Sequence, residues 1–193
     1  NITIENDFDQ LTGTSFTINN GNTVTVQTGN KLSIAGDLIN NGSIFGDVSL
    51  NGTSSQPPIL GVTENLEINN NAGVTLGANL DISGYLKLTD GVLNTDGYNL
   101  TLKSTAGQTA LVINIAGSVN GDLTVERFVP IAPQGHHFLS SPVSSASIGE
   151  LSDDIAISLV GTYPTLYYYD ETIQSDHSTD GWIAPSSLSH PMI

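Results

Sequence analysis

The densest set of side chains able to do chemistry lies in YYYDETIQSDHSTDGW, residues 167–182. Asp170, Glu171, Asp176 and Asp180 are four carboxylates interleaved with Ser, Thr and Gly, which is the chemistry calcium takes: about six to eight oxygen ligands from a flexible loop. The order lacks the Asp-x-Asp-x-Asp-Gly run and the terminal Glu of an EF-hand. Calcium is therefore a candidate cofactor, and a solvated acidic hairpin loop is the simpler reading. In a strand, Tyr167 and Tyr169 share one face with Tyr168 opposite. With Trp182 they form a candidate platform for stacking on sugar rings; the alternative is that they build the core of their own module. His136 and His137 are neighbours, so an extended backbone sends them to opposite faces, and His177 and His190 stand alone. No metal site is expected from the histidines.

The charge inventory removes several functions. The 193 residues carry 19 acidic groups against 4 basic ones, a net of -15, with no cysteine. Four scattered cations (Lys31, Lys87, Lys103 and Arg127) cannot neutralise a phosphate backbone, so no nucleic-acid partner is expected. No apolar run approaches the ~18 residues of a spanning helix, so no membrane insertion is expected either. Without cysteine there are no disulfides and no thiolate chemistry. Lyases acting on uronic-acid polymers need cations that this chain lacks, and its field repels such substrates. No pair of carboxylates is singled out for glycosidase chemistry. The chain is expected not to be an enzyme.

Positioning elements follow from hydrophobic periodicity. Val24-x-Val26, Leu32-x-Ile34, Leu66-x-Ile68, Val74-x-Leu76, Leu80-x-Ile82, Leu86-x-Leu88 and Leu100-x-Leu102 alternate strictly between Asn-Gly and Asp-Gly punctuation, the signature of short half-buried strands. The segments VTVQTGNKLSIAGDLINNGSI from residue 24 and LEINNNAGVTLGANLDISGYL from residue 66 match at seven positions, an internal repeat. Val24, Ile44, Leu66 and Leu86 recur at ~20 residues, the size of one three-strand rung of a parallel β-helix. Stacking those four residues inward predicts an outward column of Thr25, Phe45, Glu67 and Lys87, with an ion pair between Lys87 and Glu67 worth at most ~1 kcal/mol at a surface. Ile2, Ile4, Phe16 and Ile18 are expected inward in a first coil. Pro57 and Pro58 suggest an excursion between coils, because proline cannot donate to a ladder. STAGQTA, at 104–110, marks a second irregularity.

Construction changes near residue 128. All 18 asparagines precede residue 121, whereas seven of the twelve aromatic residues follow residue 127. The expected division is a β-helix over 1–127 and a β-rich aromatic module over 128–193. Strands are expected at FLSSPV, IAISLV and TLYYYD, and a short helix at SASIGELSDD with Ser147 as N-cap and Glu150 three residues later. The run DLTVERFVP, GHHFLSSPV, LYYYDET and DGWIAP, over roughly 122–185, resembles a segment recurring in secreted, modular, adhesin-like cell-surface proteins of Bacteroidetes, often cargo of type IX secretion. In such proteins the segment commonly follows an Asn/Gly/Thr-rich β-helical stretch and continues beyond the tryptophan, so the resemblance implies a fragment of a longer chain.

The expectation is an all-β protein, a right-handed parallel β-helix followed by a small β-rich module. Its expected role is that of a stalk or adhesive segment of a secreted or surface-displayed protein. The alternative is a carbohydrate-binding or polysaccharide-degrading accessory module of a larger exported enzyme. Expected partners are other domains of the same polypeptide and surface glycans.

Overall fold

The computed structural model describes residues 1–59, 62–130, 138–141, 145–152, 155–160, 164–173 and 181–192, with the side chains of 57–59, 62 and 63 set aside. The chain forms two compact units, Asn1–Pro133 and Gln134–Ile193.

The first unit is a parallel β-solenoid of about 6 turns. Coil one holds β1 (Ile2–Ile4), β2 (Phe8–Gln10) and β3 (Ser15–Ile18), and coil two holds β4 (Thr23–Val26), β5 (Lys31–Ile34) and β6 (Asp37–Asn40). Coil three has β7 (Ser43–Leu50) and β8 (Gln56–Ile59), coil four β9 (Val62–Asn69) and β10 (Val74–Leu76), and coil five β11 (Leu80–Asp90) and β12 (Val92–Asn94). Coil six has β13 (Leu100–Leu102), β14 (Leu111–Asn114) and β15 (Ser118–Asn120), and β16 (Leu123–Val125) continues the stack. The first face runs β1, β4, β7, β9, β11, β13, β16. A second face runs through β2, β5, the later halves of β7, β9 and β11, and β14. The third is built from β3 and β6 and from β8, β10, β12 and β15.

Alternation does the folding work. One apolar residue in two points inward, and the ladders stack these into columns: Leu32, Val48, Leu66 and Leu86 pair in succession, as do Ile34, Leu50, Ile68 and Leu88. All eight are buried in one continuous core. Burying a Val, Leu or Ile side chain is worth ~1.5–3 kcal/mol, so the columns supply the main stabilisation along the axis.

The register departs from the expectation at one point. Val24 pairs with Ile44, and Leu66 with Leu86, but Ile44 pairs with Thr63 and Leu66 with Val48. Val24 and Ile44 therefore lie on the first face, and Leu66 and Leu86 on the second. The reason lies in β7, β9 and β11, each long enough to bend across two faces, with pairing shifts between Ile44 and Asp47 and between Ile82 and Tyr85. Gly46, at the bend of β7, has φ +92, and a Cβ there would sit 2.4 Å from the Val26 carbonyl oxygen. The three faces share one apolar-x-apolar pattern, so a match between segments cannot tell a whole coil from a coil plus a bend. Likewise the outward column pairs Thr25 with Phe45, and Glu67 with Ser49 and Lys87.

Pro57 and Pro58 lie within β8 on the third face, not in an excursion. The β8–β10 register slips between Gln56/Val74 and Ile59/Leu76, and β3 with β6 forms a separate sheet from β8. Two residues without N–H groups break the ladder at that coil while the chain keeps its path. The real excursion is at STAGQTA, where Ser104 and Thr109 form an antiparallel bridge closed by a Thr105 N–H bond to the Gln108 carbonyl. In coil one Ile4 and Ile18 are buried and Phe16 packs on the core, but Ile2 is exposed.

In the second unit, the ordered β-structure among the described residues is one antiparallel ribbon of β17 (Tyr168–Tyr169) and β18 (Trp182–Ile183). Residues 138–141 and 155–160 are not strands, contrary to the expectation for FLSSPV and IAISLV. In place of a ladder, the Ser158 N–H donates to the Thr165 hydroxyl at 2.9 Å and the Thr165 N–H to the Ser158 carbonyl at 2.9 Å. Local side-chain bonds of this kind compete with strand pairing. The expected helix is a single 3-10 turn, Ile148–Leu151, where the Ser147 N–H donates to the Glu150 carboxylate at 3.2 Å. Ala146 and Ile148 are its buried apolar residues, held by bonds from Ile148 N–H to the His190 carbonyl and from Met192 N–H to the Ala146 carbonyl.

Candidate functional site

The calcium candidates are not brought together among the described residues. Asp176 and Asp180 lie outside the described residues, as do His136, His137 and His177. Asp170 Oδ1 accepts bonds from the Thr172 hydroxyl at 2.6 Å and the Thr172 N–H at 2.9 Å. These bonds, the hydroxyl foremost, lower its carboxyl below the usual range. The carboxylate thus closes a local turn, and Glu171 is exposed beside it. Among the described residues no three of His, Asp and Glu form a metal-holding group.

The aromatic candidates do meet. β17 and β18 put Tyr169 opposite Trp182, their ring centroids 5.2 Å apart at 62°. Phe138 adds a third ring, 6.1 Å from Trp182 at 41°. Exposure is 86% for Phe138, 57% for Tyr169 and 41% for Trp182, so this is a surface cluster and not a core. The tilts prevent one sugar from lying flat on two rings, so any stacking falls on a single ring. Tyr167 is exposed nearby in sequence, while Tyr168 stacks on His190 at 4.5 Å from the other side of the strand. Gly181 makes the edge-on pair possible, since a Cβ there would come within 2.4 Å of the Tyr169 ring.

The most developed polar network sits on the outer side of the second face. Lys87 pairs with Glu67 Oε1 at 2.8 Å, as the spacing predicts. Lys31, two coils earlier, takes Glu67 Oε2 at 2.7 Å, and the Thr89 hydroxyl donates to Oε1 at 2.7 Å. Glu67 is only 6% exposed, because the two lysine stems drape over it. Burial pushes its carboxyl up, but the bonds from Lys31, Lys87 and Thr89 outweigh that and hold it at about 2. Next to it Asn65 Nδ2 donates to Asp47 at 2.6 Å, and burial together with the Asp47 charge pushes the Tyr85 hydroxyl up to about 12. Every group in this network holds another and presents no poised acid, base or nucleophile. Lys31 was hidden from sequence reasoning because its bond skips a coil, and no spacing rule links residues 31 and 67.

No helix among the described residues is long and apolar enough to cross a membrane. Compared with family models, curated proteins and solved structures, the chain matches none.

Proposed function

We propose that this chain is a non-catalytic structural segment, a stalk or spacer, of a secreted or surface-displayed bacterial protein. The observation that carries the reading is the axial continuity of the first unit: one apolar core runs through its coils, and Glu67 ties coil two to coils four and five. A solenoid adds length by nearest-neighbour stacking, which suits a spacer better than a globular core does. The resemblance of residues 122–185 to adhesin-like type IX cargo supports the exported setting. Tethering the full chain by its two ends and ramping the force tests this. The first unit is expected to outlast a three-helix-bundle reference in the same tether, and unravelling before that reference overturns the spacer reading.

A second reading, carbohydrate binding on the second unit, is favoured by the exposed Phe138, Tyr169 and Trp182 cluster. Contiguous exposed apolar groups mark interaction sites, whereas single scattered ones do not. A glycan array run beside Trp182→Ala decides: Trp-dependent binding supports it, and equal signals from both proteins reject it.

A further inference from the structure

The third face of the solenoid carries a recess that neither reading uses. In β10, β12 and β15, Val74, Leu93 and Val119 pair in one inward column, leaving two outward columns beside it. One is small: Gly73, then Val92 paired with Ser118. The other bears amides: Asn94 paired with Asn120. Asn71, in the turn before β10, lines the same recess. The result is an open concavity of about 500 Å³ lined by Asn71, Gly73, Val92, Asn94, Ser118 and Asn120 among others. None of its lining residues carries a charge.

We infer that this recess binds a neutral carbohydrate. Asn120 Nδ2 donates to Asn94 Oδ1 at 2.8 Å, which fixes both carboxamides in place before any ligand arrives. A carboxamide has two donors and a two-lone-pair acceptor, so this one bond leaves both Asn94 N–H groups, one Asn120 N–H and the Asn120 oxygen for a partner. Groups that donate and accept side by side suit hydroxyls, which do the same. Val92, 37% exposed, offers an apolar patch for a sugar C–H face. An anionic glycan finds no cation here: no lysine or arginine lines the recess, and the net charge of -15 repels it. The inference stands independently of the stalk reading and of the aromatic cluster.

The test is chemical-shift mapping on the ¹⁵N-labelled full chain with cellohexaose, maltohexaose and chitohexaose as neutral probes and a galacturonic acid hexamer as the anionic one. At least one neutral oligomer is expected to shift residues 71–73, 92–94 and 118–120, with no such shifts from the galacturonate. The double variant Asn94→Ala/Asn120→Ala is expected to weaken the binding read from shifts at 71–73, 92–94 and 118–120 by at least ~10-fold. Ser118→Phe fills the recess without touching the amide pair; its loss of binding decides the matter if the double variant does not fold. Absence of shifts at 71–73, 92–94 and 118–120 with all three neutral oligomers overturns the inference, as do shifts at those positions that survive Ser118→Phe.

Discussion

Replacing Gln56 with Leu tests how the solenoid turns its corner between the second and third faces. Gln56 is buried and uses all of its amide's capacity: Nε2 donates to the Ile34 carbonyl at 2.9 Å and the Gly36 carbonyl at 2.7 Å, while Oε1 accepts from the Gly52 N–H at 3.2 Å and from Asn70 Nδ2 at 2.9 Å. One side chain thus joins coils two, three and four. Leucine removes all four bonds at similar volume, but the losses are unequal. The Ile34 carbonyl keeps the Asn51 N–H, and Asn70 Nδ2 keeps the Ser54 carbonyl at 2.8 Å. The Gly36 carbonyl and the Gly52 N–H, both buried, lose their partner. Each stranded buried group costs ~1–3 kcal/mol, so the variant is expected to lose ~2–6 kcal/mol, less a small gain from the apolar side chain. Urea unfolding of the full chain followed by circular dichroism measures it, with hydrogen exchange at Gly52 as a local readout. A loss below ~0.5 kcal/mol, the scale of an ordinary surface change, refutes the corner argument. Gln56→Glu provides a signed control. Its carboxylate faces the Ile34 and Gly36 oxygens, so its folded-state pKa rises above the unfolded value; its deficit should be largest at high pH and shrink as the group protonates.

Three further outcomes follow from the geometry. Glu67 is held at about 2 in the folded chain against an ordinary 4.5, so its contribution is present above pH 4.5 and is lost as pH falls toward 2. After allowance for solvent around Lys31 and Lys87, Glu67→Gln should lose on the order of 1–2 kcal/mol at pH 7 and little near pH 2, read by urea midpoints at the two pH values; equal losses at both contradict the linkage. Gly181→Ala should push the Tyr169 ring off Trp182 and shift the tryptophan emission, with the solenoid's unfolding unchanged. Adding chelator should leave the melting curve of the full chain in place, whereas a melting temperature that climbs with calcium concentration would return Asp170 and its loop to consideration as a metal site.

The strands of the first unit and the inward side of each were legible in the chain because a strand alternates its side chains with period two, a local property that neighbouring residues state directly. The coil length was legible for the same reason at one remove. It placed Lys87 beside Glu67, since residues one coil apart become neighbours in a parallel ladder. Composition placed a change of construction near residue 128, and the compact units divide between Pro133 and Gln134. Where the chain bends was not legible, because Gly46 is an ordinary turn residue, and only the stacking of coil on coil selects it as a corner. That choice moved Leu66 to a second face, brought Lys31 across a coil to Glu67, and put Pro57 and Pro58 at a slip in the ladder. It also turned Gln56, the unmarked first residue of β8, into the buried joint of three coils. In the second unit the aromatic residues were countable, but their tilts and exposure depend on which two short strands pair. Local alternation therefore determined the elements of this protein, and long-range stacking decided its faces, its corners and every contact from which a function can be argued.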